Sequence, residues 1–181
     1  MKAIVTGANR GIGLELVKGL LTKGYDVCAL CRKNSSELSR LDVHVIESVD
    51  ITQADAVREA YRELEGEQFD LLINNAGLWT DESLGELSEK GIQSIHQAME
   101  VNAYGPLRVT EILLPLLKPG AKLAFITSRM GSIADNTSGG RYGYRMSKAA
   151  LNMAAKSLSV DLKPKEIACL LYTSPSPRDL Y

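Results

Sequence analysis

The sequence predicts a doubly wound α/β fold, a parallel sheet with helices on both faces. Three observations lead there. Short apolar runs of strand length alternate with longer stretches of helical period along the chain. The first run, Ala3-Ile4-Val5, opens through glycines at 7, 11 and 13 straight into the helical pattern Ile12, Leu14, Leu16, Val17, Leu20. Residues able to do chemistry collect just past the carboxyl ends of the strands, where such sheets bind ligands.

In order, helix one runs from about 12 to 23 and stops at Gly24, suited to a helix end. DVCALC at 26–31 is the second strand and 43–49 the third. Residues 53–64 are helical, because Ala56, Val57, Ala60, Tyr61 and Leu64 share a face. The fourth strand, 69–73, ends on Asn74-Asn75-Ala76-Gly77. The polar stretch 79–90 is a loop with room for a helical turn. Helices follow at 92–101 and 103–117, with Pro106 in a first turn and Pro115 in a last one. Residues 122–127 are the fifth strand, 144–162 a long helix, and 167–171 open a sixth strand. Strands that alternate with helices in this way give a parallel sheet.

Size and composition fit one domain with a substantial core: 181 residues, 45% apolar and 24% charged. A net charge of −1 gives no broad electrostatic case for nucleic acid or an anionic membrane. No run approaches the roughly 18 apolar residues that span a bilayer, and no secretory core follows Met1. The expected location is cytoplasmic. Cys28, Cys31 and Cys169 make no disulfide framework. Cys28 and Cys31 lie three apart in a strand and point to opposite faces, as buried small residues do. His44 and His96 lack ligand-spaced partners, so no metal is expected.

A strand that opens through glycines into a helix makes a phosphate seat. The helix N-terminus offers unpaired N–H groups and about half a positive charge. Glycines let the backbone approach a pyrophosphate. Their spacing here is Gly-x-x-x-Gly-x-Gly, and plain turn punctuation is the alternative. Further along, Tyr144 and Lys148 sit four apart at a helix start and share a face. A free phenol ionises near pH 10; lowering that by about 3 units takes roughly 4 kcal/mol. One cation about 4 Å away, at an effective dielectric of about 20, supplies a similar amount. A solvated surface pair is the other reading. Ser128 lies directly beyond the fifth strand, where a hydroxyl can donate to a substrate oxygen or simply serve a turn.

With those residues in hand, the chain resembles the classical branch of the short-chain dehydrogenase/reductase family, whose fold is Rossmann-like. TGANRGIG at 6–13 matches the family's TGxxxGxG turn. Asn74–Gly77 matches its NNAG, Asn102 in VNAYGP its central-helix Asn, and Ser128 with YRMSK at 144–148 its Ser and YxxxK. Order and spacing agree across 2–168. SRMGSIADNTSGGRYGYRMSKAALNM is most similar to the C-factor-like carbonyl-reductase group.

The resemblance implies an oxidoreductase that moves a hydride between a nicotinamide cofactor and a small carbonyl or alcohol substrate. It makes Tyr144 the general acid or base, and has Lys148 lower its pKa and bind the nicotinamide ribose. Ser128 would orient the substrate oxygen, and Asn102 help hold a water that links Lys148 to solvent. Gly7, Asn9, Arg10, Gly11, Ile12 and Gly13 would cradle the cofactor. Asp50 and Ile51 would lie at its adenine, and Asn75, Ala76 and Gly77 near the adenine-side ribose. Asp50 as the cap of the next helix is the alternative. The family pairs the helices near 103–117 and 144–162 across a two-fold axis, which implies a homodimer or homotetramer; core packing explains most of the same apolar residues. The other function the fold allows is a non-catalytic NADP-binding signalling or regulatory protein, against which the intact Ser128, Tyr144, Lys148 and Asn102 set argues.

Charge distinguishes the cofactors. NAD sites place an acid at the end of strand two. Here that end reads Cys31-Arg32-Lys33, and Arg10 stands in the glycine turn. Two guanidinium groups can bracket a 2′-phosphate, so NADP(H) is expected over NAD(H), although either arginine could be merely solvated.

The family continues past strand six with a substrate loop, another helix and a last strand; this sequence lacks them. After Ala168 it reads CLLYTSPSPRDLY, and CLLYTSPSPRD resembles a translated sequencing adapter. The expectation is a dinucleotide-binding domain over 1–168 and a non-native tail over 169–181, a natural tail being the alternative. A chain ending so is expected to expose a hydrophobic sheet edge, to be poorly soluble, and to be inactive.

Overall fold

The computed structural model describes residues 1–85 and 87–173; residues 174–181, most of the proposed tail, lie outside them. The described chain alternates as expected: β1 Lys2–Thr6, α1 Gly11–Thr22, β2 Asp26–Leu30, β3 His44–Ile46, α2 Ala54–Glu63, β4 Phe69–Asn74, α3 Glu89–Met99, α4 Gly105–Leu113, β5 Leu117–Thr127, α5 Tyr142–Asp161 and β6 Ala168–Thr173. The sheet runs β3-β2-β1-β4-β5-β6, and each neighbouring pair is parallel. The chain winds outward from β1 to β3, then returns past β1 to lay down β4. In folds of this kind such a reversal opens a crevice at the carboxyl ends of the flanking strands, here β1 and β4, where ligands bind.

Strand alternation explains the two cores. In β1, Ile4 packs with Leu72, Leu123, Phe125 and Leu151 on one face, while Ala3 and Val5 pack with Leu14, Val17 and Ala29 on the other. Cys28 and Cys31 divide between the two faces in the same way.

Three elements differ from expectation. β3 is short, because the chain leaves it at Ser48, whose φ is 62°. β5 starts early: Leu117 pairs with Phe69, then the register jumps so that Lys122 faces Leu71, and the extra residues include Pro119 and Gly120. The two helices expected at 92–101 and 103–117 are one helical path, Glu89 to Leu116, interrupted by a wide π turn at Glu100–Tyr104. Gly105 N–H closes that turn onto the Glu100 carbonyl. Pro106 explains the widening: it has no N–H to return to the carbonyl four residues back, that of Asn102.

β6 extends through Thr173 in register with β5, and Leu170, Leu171 and Tyr172 are exposed. Leu123→Ala, in the fully buried centre of β5, is expected to cost about 2–5 kcal/mol in urea unfolding. Leu171→Ala should stay within about 0.5 kcal/mol; an equal loss at both positions would mean that the β6 face is covered.

Candidate active site

The site begins where β1 meets β4. The Thr6 hydroxyl accepts from the N–H groups of Asn75 (3.0 Å) and Ala76 (3.1 Å). The Asn75 side-chain amide donates to the carbonyls of Thr6 (2.9 Å) and Gly7 (3.2 Å). These bonds press two loops together, which is why Gly13 is glycine: a Cβ there would lie 2.2 Å from the Gly7 carbonyl oxygen and 2.5 Å from the Asn75 amide. Gly7, at φ 63°, would likewise drive a Cβ into Ala76. Gly7 and Gly13 thus serve the protein's own close packing. Gly11, at φ 53°, differs: a Cβ there would meet nothing within 4 Å, so the space above the turn is open.

The start of α1 is bare. Its N-cap, Arg10, has extended backbone and no capping side-chain bond, and the first turn holds no acidic residue. The leading N–H groups therefore face outward beside an exposed guanidinium, with Ile12 46% exposed next to them. The Asn9 side chain donates to the Lys33 carbonyl at 2.9 Å, tying the glycine turn to the segment after β2. Arg10 and the exposed Arg32 thus stand on adjoining loops. Asp50 lies within electrostatic reach of Arg32. Partial burial pushes its carboxyl up, but hydrogen bonds from the Thr52 N–H and hydroxyl, with the charges of Arg32 and Arg108, bring it below its ordinary value. Asp50 does not cap α2, whose N-cap is Gln53. The Ile51 side chain is in the core against Gly105, so it can offer a ligand only main chain.

Past β4, Gly77 is exposed, and Asn102 sits in the π turn with no solvent exposure. The Asn102 oxygen accepts from Leu78 N–H at 2.7 Å; its amide donates to the Leu78 carbonyl at 2.7 Å and to the Ser147 hydroxyl at 3.0 Å. Its side chain is therefore a clamp between the loop after β4 and α5.

Lys148 is 4% exposed and donates to the Ile126 carbonyl at 2.8 Å. Its ammonium is 5.8 Å from the centre of the Tyr144 ring. Burial pushes its pKa down to about 8, and no carboxylate among the described residues offsets that. A Cβ on Gly77 would stand 3.8 Å from the ammonium. Ser128, 5% exposed, follows the last residue of β5 and accepts from Met130 N–H at 3.2 Å, which uses a lone pair and not the hydroxyl proton. Tyr144 is half-buried and stacks on Trp79, ring centres 4.6 Å apart.

This donor set suits a dinucleotide: bare N–H groups and guanidinium at one end, a buried ammonium beside an open glycine at the other. Sequence reasoning missed Trp79, Glu82, Arg141 and Ser147. Ser147 lies inside the YRMSK motif and was legible as its neighbour. Glu82 carried no signal, because its side-chain partners are 12 and 61 residues away.

A family profile described as short chain dehydrogenase matches residues 1–175. The chain is 38% identical over 171 residues to 1-hydroxy-2-glutathionyl-2-methyl-3-butene dehydrogenase of Rhodococcus sp. (strain AD45), covering 93% of this chain and 74% of that one. It is 50% identical over 107 residues to C-signal of Myxococcus xanthus, covering 56% of this chain and 61% of that one, less than two thirds of its length. The crystal structure of NADPH-bound carbonyl reductase from chicken fatty liver superposes with a TM-score of 0.83 at 28% identity, over 95% of this chain and 78% of that one.

Asn102→Ala removes the Leu78 clamp and is expected to cost about 1–3 kcal/mol in urea unfolding. Exchange of the Leu78 amide should quicken with it. An unchanged Leu78 amide would place the restraint elsewhere.

Proposed function

The chain belongs to the short chain dehydrogenase family, and on that premise we propose that it is an NADP(H)-dependent oxidoreductase acting on a small carbonyl or alcohol. The observation that carries this reading is the buried Lys148 ammonium, 5.8 Å from the Tyr144 ring and bonded to the Ile126 carbonyl near the end of β5, just before Ser128.

The chemistry that a bound nicotinamide supplies is hydride exchange with the substrate carbon. The protein's part is positional and electrostatic. The Ser128 hydroxyl donates to the substrate oxygen and fixes it. In reduction the Tyr144 hydroxyl gives that oxygen its proton; in oxidation the phenolate takes it back. The Lys148 ammonium stabilises the phenolate and holds the ribose hydroxyls. Asn102 fixes the loop past Gly77 and, by the family resemblance, would help hold a water that links Lys148 to solvent. Gly7, Asn9, Gly11, Ile12, Gly13, Asn75, Ala76 and Gly77 would hold the pyrophosphate and ribose. Asp50 and the main chain of Ile51 would hold the adenine. Arg10 and Arg32, with no acid at the end of β2, favour the 2′-phosphate and hence NADP(H). The chicken carbonyl reductase described as NADPH-bound supports the same choice. Exposed Tyr104, Leu107, Met146 and Met153 on the π turn, α4 and α5 supply an apolar face for a homodimer or homotetramer. Among the described residues no helix is long and apolar enough to cross a membrane.

The likeness to C-signal favours a second reading, a non-catalytic NADP-binding signalling protein. Tyr144→Phe separates the two. For the enzyme, in a chain carried on through the substrate loop and last strand, it should cut NADPH-dependent ketone turnover by about 100-fold or more and leave NADPH binding intact. A variant with unchanged biology and no wild-type turnover would favour the signal. Fluorescence titration should show tighter binding of NADPH than of NADH; the reverse order would overturn the charge argument.

Lys148 gives two pH trends of opposite sign. Its proton is held below about pH 8 in the fold and up to 10.5 in the free side chain. Between those values the unfolded chain binds more protons, so stability rises with pH. Cofactor affinity should fall over the same range as the ammonium is lost. Lys148→Met should flatten both trends, the first read by urea unfolding and the second by NADPH titration.

A further inference from the structure

The first turn of α5 lacks the cap its sequence ought to carry. Its N-cap residue is Arg141, a side chain with no acceptor, in left-handed backbone at φ 53°. A capping side chain normally accepts from the second or third N–H of the helix. Here the second, Gly143 N–H, donates at 3.0 Å to the carboxylate of Glu82, a residue 61 positions earlier. Tyr144 is the next residue.

Glu82 is 6% exposed, and each part of it is engaged. One carboxylate oxygen takes Gly143 N–H; the other takes the hydroxyl of Ser94 on α3 at 2.7 Å. Its main-chain carbonyl accepts from Arg141 N–H at 2.6 Å. Burial works against the charge, yet the bonds from Ser94 and Gly143 outweigh it and hold the carboxyl below its ordinary value. The same loop is fastened at its other end. Asp81 pairs with Arg141 at 3.1 Å, the Arg141 guanidinium lies 5.7 Å over Trp79, and Trp79 stacks on Tyr144. The fit is close, since a Cβ on Gly143 would lie 2.9 Å from the backbone of Ile95 on α3 and 3.0 Å from the Glu82 carboxylate.

We propose that Glu82 is a positioning residue for Tyr144: its carboxylate caps α5 from the loop after β4, locks α3 and α5 together, and thereby sets where the phenol stands against Trp79. The inference rests on the reading of Tyr144 as the acid–base group, but its structural half can be read without turnover. Trp79 is the chain's one tryptophan, so its emission reports the stack directly.

The test compares Glu82→Ala, Glu82→Asp and Glu82→Gln with the unaltered chain. The alanine and aspartate variants should shift Trp79 emission and raise exchange of the Gly143 amide by about tenfold or more. In a chain carried on through the substrate loop and last strand, they should also lower kcat for ketone reduction by about tenfold or more, with NADPH affinity unchanged because the glycine turn is untouched. Glu82→Gln keeps an oxygen for Gly143 N–H and an amide for the Ser94 oxygen, so it should restore emission, exchange and kcat together. Should Glu82→Ala fail to fold, Ser94→Ala, which removes one bond, should give the same changes in smaller measure. Unchanged emission and exchange in the alanine variant, or in Ser94→Ala where that one decides, would overturn the proposal. So would a kcat loss that Glu82→Gln leaves unrescued while exchange recovers, because charge rather than placement would then be at work. If Tyr144→Phe costs no turnover, the acid–base reading falls, and the emission and exchange data still decide the role of Glu82.

Discussion

The Thr6 hydroxyl is where the two halves of the sheet are fastened. It accepts two N–H groups from the chain leaving β4, while the Asn75 amide returns to the carbonyls of Thr6 and Gly7. Parallel strands β1 and β4 diverge beyond their last ladder bonds, and their orphaned backbone groups need partners. This knot supplies them, and it pulls the glycine turn so close that Gly13 has no room for a side chain. The bare start of α1 is held open by that packing.

From the knot a continuous set of bonds runs across the site. Ala76 leads to Gly77 and Leu78; Leu78 is clamped by Asn102; Asn102 reaches Ser147; Ser147 precedes Lys148, which bonds back to Ile126 on β5. β1, β4, the π turn, α5 and β5 are thus joined by side chains that sit one or two residues from each proposed functional group. The π turn belongs to this set because it is where Asn102 can reach both loop and helix, and Pro106 is its chemical cause.

The strand–helix order and the approach of the Lys148 ammonium to the Tyr144 ring were legible because they depend on local signals: period and a four-residue helical offset. The split of Cys28 and Cys31 between faces followed from strand geometry alone. What was not legible depends on neighbours distant in sequence. Ile51 follows a strand like a ligand-facing residue, but the missing side chain of Gly105 gives it a core pocket. The early start of β5 lies in a register jump that apolar pattern does not reveal. Glu82 sits in the polar stretch read as a loop, and only the folding of α3 and α5 around it gives its carboxylate the donors of a cap. Pro106 did carry the π turn in the sequence, through its missing N–H, yet as a first-turn proline it read equally well as an ordinary helix start.

Two buried charges flank the Tyr144 segment, and the way each is satisfied tells their duties apart. A buried carboxylate is costly unless donors surround it. Glu82 has its donors from the protein itself, a hydroxyl and a backbone N–H, so its charge is stable with nothing else present and its work is structural. Among the described residues, Lys148 has one carbonyl for an ammonium with three donors, and burial lowers its pKa to about 8. A fold that needed only to be stable would do better with an apolar side chain there. Hydroxyl groups or a phenolate beside the open glycine would relieve that cost, and this asymmetry supports the proposed ligand role of the Lys148 side.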